Sequence, residues 1–231
     1  MTIFPSDGRP PRVDRTDLSP NAKRVEVSDP TLAAFHAPRD EPVPTYDHVM
    51  IDIETLSLSK HNALILSVGM VEFTPEPLEA PRFGNRALII PNIEQQLLLG
   101  REVSKSTQKF WREQKPEASA HWAVYGGERA SIRTMCKLIK TFCANSSRVW
   151  ANGTQFDLTN LEVINEQLGA ESVGDLWHYQ APRDMRTFCR ENPATRLVPI
   201  GDALDIPGVP HEPVYDCISQ AWKVWSHWPQ A

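Results

Sequence analysis

The chain has 231 residues, 41% of them hydrophobic, and a formal net charge of −5. That length suits one large α/β domain or two small ones, and the acidic balance is unlike that of a basic nucleic-acid coat protein, although a nucleic-acid enzyme whose site holds divalent metal must itself be acidic. There is no apolar signal core at the start and no apolar run of about eighteen residues, and Cys136, Cys143, Cys189 and Cys217 form no CxxC pair, so the expectation is a reduced, cytoplasmic protein with no membrane segment and no zinc knuckle.

Residues 1–44 contain 8 of the 20 prolines and little apolar periodicity. Such a segment buries too little surface to offset its ordering entropy, so it is expected to be an extended or weakly ordered arm, with the folded domain over 45–231. From Tyr46 the texture changes. "YDHVMIDIET", "ALILSVGMVEF" (63–73) and "RALIIP" (86–91) predict three strands. Helices are predicted over 104–114, 116–125 and 128–145, the last with Ile132, Cys136, Ile139 and Cys143 on one buried face. "SRVWANG" (147–153) predicts a short strand. It leads into a helix over 154–169, with Thr154 as its cap and Gly169 at its end. A short helix over 182–192 and a final one over 212–228 complete the chain. In the final helix Pro213 suits the first turn, and Val214, Cys217, Ile218, Ala221 and Trp225 make the apolar stripe. Three successive strands followed by α/β units predict one mixed sheet covered by helices.

Side chains two apart on a strand share a face, so Asp52 and Glu54 project together near the end of the first strand. Two carboxylates that close repel unless a cation lies between them. A strand-end acid pair facing water would be the simpler account. Asp157 at a helix start answers to the helix dipole, and His211 taken alone is a loop histidine. Jointly, however, a strand-end pair and one acid from each of two later helices, Asp157 and Asp216, supply four carboxylates. That number suits two hard divalent cations.

"DIET" (52–55), "NGTQFD" (152–157) and "HEPVYD" (211–216) resemble the three motifs of the DEDDh (DnaQ-like) 3′–5′ exonuclease superfamily, with the H-x4-D spacing of that branch. The resemblance covers nearly everything from Tyr46 onward and leaves out the arm. "STQKFWREQKPEA" (106–118) and "RDMRTF" (183–188) add a narrower likeness to its phage exonuclease A and exonuclease VIII type. What the resemblance implies is an RNase H-like α/β fold: a mixed five-stranded sheet with helices on both sides. It further implies two Mg²⁺ or Mn²⁺ ions held by Asp52, Glu54, Asp157 and Asp216, with His211 as general base. The expected reaction releases 5′-mononucleotides from single-stranded DNA or RNA 3′ ends; 2′-OH recognition depends on pocket shape, so the sequence does not separate the two. An exoribonuclease, an oligonucleotide-trimming enzyme and a non-catalytic nucleic-acid-binding module are the alternatives. Some relatives dimerise, which leaves a homodimer open.

Weaker expectations fall on neighbouring residues. Thr55 and Leu56 would touch the terminal nucleotide, and Asn152 would orient the strand. Phe110 and Trp111 would either stack a base or pack in the core. Lys105, Lys109 and Arg112 would either meet phosphates or form a solvated helix face. Asp184 is expected to fix its own element rather than bind metal.

Overall fold

The first strand explains the sheet around it. In β1 (His48–Thr55) the side chains of Val49, Ile51 and Ile53 enter one apolar cluster, and Met50 enters another on the opposite face. The computed structural model describes residues 46–76, 79–123, 127–196 and 209–229. The expected arm over 1–44 lies outside them. β2 (Ile65–Thr74) and β3 (Arg82–Ile89) pair antiparallel in succession on one side of β1. β4 (Arg148–Ala151) and β5 (Pro182–Asp184) pair parallel in succession on the other. The order is β3-β2-β1-β4-β5, the expected mixed five-stranded sheet.

Helices cover both faces. α4 (Ile132–Cys143) and α5 (Asp157–Glu166) pack against Val49, Ile51 and Ile53. α6 (Met185–Glu191) and α7 (Pro213–Ser226) pack against Met50, Val71 and Trp150. A third cluster seats α2 (Lys105–Glu113) and α3 (Pro116–Ala123) through Trp111 and Trp122 against Leu56, Leu64 and Leu66. Among the described residues no helix is long and apolar enough to cross a membrane. All four cysteines are free, and Cys136, Cys143, Ile132 and Ile139 form the buried face expected of α4.

Two expectations need correction, and one element was not foreseen. Residues 182–184 extend the sheet as β5, and α6 starts only at Met185, because Asp184 caps that helix by accepting from the Thr187 amide at 2.8 Å. Thr154 does not cap α5. The helix starts at Asp157 after a turn, and the Thr154 amide and hydroxyl instead donate to Asp184, at 3.0 and 3.4 Å. α1 (Ile93–Leu98) was not foreseen. Its buried Gln96 donates to the Ile65 carbonyl at 2.8 Å and accepts from the Ile65 amide at 2.7 Å, docking the helix on β2, while Ile93 and Leu97 pack against the third cluster. Gly169, with φ of +57°, adopts the left-handed conformation just past α5, where a helix end favours glycine.

Candidate active site

Asp52 and Glu54 continue the Met50 face of β1, where an apolar residue would otherwise meet α7. α7 approaches that face because of a gap in the next strand. Asp52 pairs across the ladder with Gly69 of β2, and a Cβ at Gly69 would stand 2.4 Å from the Pro213 carbonyl carbon and 2.7 Å from the Val214 nitrogen. Only a residue without a side chain permits this approach. The start of α7 is fixed by Glu212, whose carboxylate accepts from the amides of Val214 at 3.4 Å and Tyr215 at 2.7 Å. Pro213 fills the first turn, as expected.

So placed, α7 brings three groups to the acids. Asp216 sits one turn into the helix. Its Oδ2 accepts from the His211 backbone amide at 2.9 Å, closing the loop on which the histidine stands. Gln220, one further turn on, donates from Nε2 to Asp52 Oδ1 at 2.8 Å. His211 adopts φ of +71°, a conformation costly for a side-chain-bearing residue. Its Nδ1 lies 3.6 Å from Glu54 Oε1, and its ring meets Phe110 edge-on at 5.2 Å and Trp111 at 5.9 Å between centroids. From the other side Asp157, the first residue of α5, accepts from the Ile53 amide through Oδ1 at 3.4 Å.

These groups line one cleft of about 700 Å³. Its electrostatics are strained. Burial pushes the Asp52 carboxyl well above its ordinary range, and the charges of Asp157, Glu54 and Asp216 push the same way. Burial raises Glu54 to about 7 even though His211 opposes the shift, and raises Asp157 to about 6 against the backbone amides that favour its anion. Asp216 is raised by burial as well. His211 is raised mainly by its contact with Glu54. Among the described residues only His211 pairs with any of the four acids within 4 Å. Such a donor set, hard oxygens facing one another with too little positive charge, fits divalent cations. Ligand atoms of Glu54, His211 and Asp216 already lie within 4.8 Å of one another.

The remaining candidates divide. Asn152 lines the cleft, its Oδ1 accepting from Arg186 Nε at 3.2 Å. Thr55, Leu56 and Trp111 are buried behind the acids. Thr55 Oγ1 donates to the Ser57 carbonyl at 2.8 Å, Leu56 joins the third apolar cluster, and Trp111 Nε1 donates to the Thr55 carbonyl at 2.9 Å. Phe110 is 37% exposed beside His211. Lys105, Lys109 and Arg112 lie on the solvent face of α2, Lys109 pairing with Glu113 at 3.7 Å. Asp184 fixes its own element, as expected. Sequence reasoning overlooked Gln220, Arg186 and Lys223, all of which line the cleft. Helical spacing from Asp216 offered a signal for two of them, since residues four and seven further on share its face.

No curated protein matches the chain. A family model described as the 3′–5′ exoribonuclease Rv2179c-like domain matches residues 47–228, from the start of β1 to just past the end of α7. That span takes in every acid of the cleft and the histidine beside them, and on this match the chain belongs to the Rv2179c-like 3′–5′ exoribonuclease domain family.

Proposed function

We propose that the protein is a metal-dependent 3′–5′ exoribonuclease of the DEDDh type, releasing 5′-mononucleotides from single-stranded RNA. The observation that carries this reading is the convergence of Asp52, Glu54, Asp157, Asp216 and His211 on one cleft from three separate parts of the chain. The preference for RNA over DNA is supported by the family's description. The narrower likeness to the phage exonuclease A and exonuclease VIII type is supported by residues 106–118 and 183–188 alone.

Asp52, Glu54, Asp157 and Asp216 would hold two Mg²⁺ or Mn²⁺ ions. When bound, the ions offset the charge of the phosphodiester's anionic oxygens and make water more acidic. His211 takes the proton from the attacking water, at the ring nitrogen that does not face Glu54. Glu54, 3.6 Å from Nδ1, holds the ring's orientation and favours its charged form once the proton has arrived. Gln220 keeps one oxygen of Asp52 engaged, fixing the carboxylate plane. Phe110 and Trp111 pack edge-on against the imidazole and help to seat it.

The test uses matched 5′-labelled RNA and DNA, single- and double-stranded, sampled over time with Mg²⁺, with Mn²⁺ and with excess chelator. A ladder shortening from the 3′ end of single-stranded RNA, slowed by a blocked 3′ terminus and abolished by chelator, is expected. Early release of the labelled 5′ nucleotide, cutting of a closed circle, or robust degradation in chelator would overturn the reading.

A further inference from the structure

A cleft built from four carboxylates repels the polyanion it must admit. Among the described residues three cations also line it: Lys60 on the loop after β1, Arg186 on α6 and Lys223 on α7. None of the three lies within 4 Å of a carboxylate in any ion pair found among the described residues. Some cations elsewhere are engaged: Lys109 with Glu113, Arg148 with Asp47, and Arg101 with the Ala63 carbonyl.

Arg186 is the best defined of the three. Its Nε donates to Asn152 Oδ1 at 3.2 Å, and its Nη1 lies 3.7 Å from where a Cβ on Gly153 would stand. Both neighbours belong to the turn between β4 and α5. The amide oxygen of Asn152 is neutral, so it orients the guanidinium without cancelling its charge. Two Nη donor groups remain for a planar, bidentate acceptor, the geometry that suits arginine to phosphate. Its charge reaches Asp157, whose carboxyl it lowers against the larger effect of burial. Lys223 stands on the same face of α7 as Asp216 and Gln220, two turns beyond the acid. α6 and α7 are packed neighbours, joined through Met185, Phe188, Ile218 and Ala221 in one apolar cluster.

Building on the exoribonuclease reading, we propose that Arg186 and Lys223 form a phosphate subsite that grips the backbone of single-stranded RNA beside the acidic centre, with Arg186 as the anchor pre-set by Asn152. A purely structural Arg186 would only staple the β4–α5 turn to α6.

The experiment measures the salt dependence of binding and the steady-state kinetics together. A 5′-fluorescein single-stranded octaribonucleotide is bound to the full-length protein in Ca²⁺, followed by anisotropy from 50 to 200 mM KCl, and is degraded in Mg²⁺. Each phosphate contact on a single strand adds about 0.7 to the slope of log affinity against log salt. Arg186→Gln and Lys223→Gln are each expected to reduce the slope by about 0.7, and the double variant by about twice that. KM should rise several-fold, with kcat little changed. Arg186→Lys should keep the slope while losing part of the affinity.

An unchanged slope in both single variants would overturn the subsite, whether the loss then appeared in kcat or in the melting temperature. Wild-type binding with no turnover would remove the exoribonuclease reading and leave the subsite to be judged on the slope alone. Wild type that binds no RNA would overturn both.

Discussion

Gly69→Ala is the substitution through which the architecture of the centre is most directly tested. The added Cβ would meet the Pro213 carbonyl carbon at 2.4 Å, its oxygen at 2.6 Å and the Val214 nitrogen at 2.7 Å, where ordinary contact begins at 3.4 Å. All three atoms are backbone, so no rotamer change relieves the clash, and α7 must retreat from β2 by about 1 Å. Pro213 lies three residues before Asp216 and two after His211, and Asp52 is the residue paired across from Gly69, so the retreat separates the groups that the proposed reaction would need together. Overpacking of this kind costs about 1–3 kcal/mol of stability. Misplacement of reacting groups by about 1 Å costs roughly 10²-fold in rate. The assay is kcat on 5′-labelled single-stranded RNA well below the melting temperature, with melts of both proteins. Gly84→Ala is the control. Its Cβ would crowd the Tyr46 ring at 2.6 Å and Glu72 Oε2 at 2.7 Å, and neither residue lines the cleft, so it should lower the melting temperature while sparing kcat. A folded Gly69→Ala protein working within about twofold of wild type would refute the account of how α7 is placed.

Two further outcomes follow from the charge and ring contacts of the cleft. Glu54 is held near 7 by burial against an ordinary 4.5, so between those pH values the unfolded chain gives up the proton while the folded one keeps it, and metal-free stability falls as pH rises through that window. At 1.36 kcal/mol per pH unit the cost above neutrality is about 3 kcal/mol. Metal-free Glu54→Gln should therefore melt roughly 6–12 °C above wild type at pH 8 and show no such gain at pH 4, and an equal gain at both pH values would refute the electrostatic origin. Phe110→Ala, if the ring serves only to seat His211, should slow wild type about tenfold yet cost nothing further in a His211→Ala background, itself slowed about 10²–10⁴-fold. Additive losses in that cycle would assign Phe110 a role apart from the histidine.

Much of the centre was legible because strand geometry is local. A period of two puts Asp52 and Glu54 on the Met50 face, and the flanking apolar residues show that this face is covered. Helix spacing likewise places Asp216 on the inner side of the last helix. What escaped was set by contacts distant in sequence. β5 has three residues and exists only because β4 offers it an edge, so "PRDMRTF" alone reads as helix. α1 is only six residues long, its apolar face is just Ile93 and Leu97, and the two-way bond between Gln96 and Ile65 that docks it joins residues 31 apart. Thr154 has the composition of a cap, but Asp184, 30 residues on, claims its amide and hydroxyl. The close approach at Gly69 left no local trace either, since a glycine inside a strand shows only that something comes near.

The pairing of Gln220 with Asp52 spans 168 residues, and that of Asp157 with Ile53 spans 104. Contacts so remote in sequence are the last to form, because each requires the ends of a long loop to meet. During synthesis the β1–β2 hairpin, with Asp52 and Glu54 exposed on it, leaves the ribosome well before α7 exists to cover it. Until residues 211–216 have emerged the two acids have neither Asp216 nor His211 beside them. A chain that has emerged only as far as α5 therefore carries Asp52, Glu54 and Asp157 without the histidine and the fourth acid, and the cleft is completed only by the segment that holds His211 and α7.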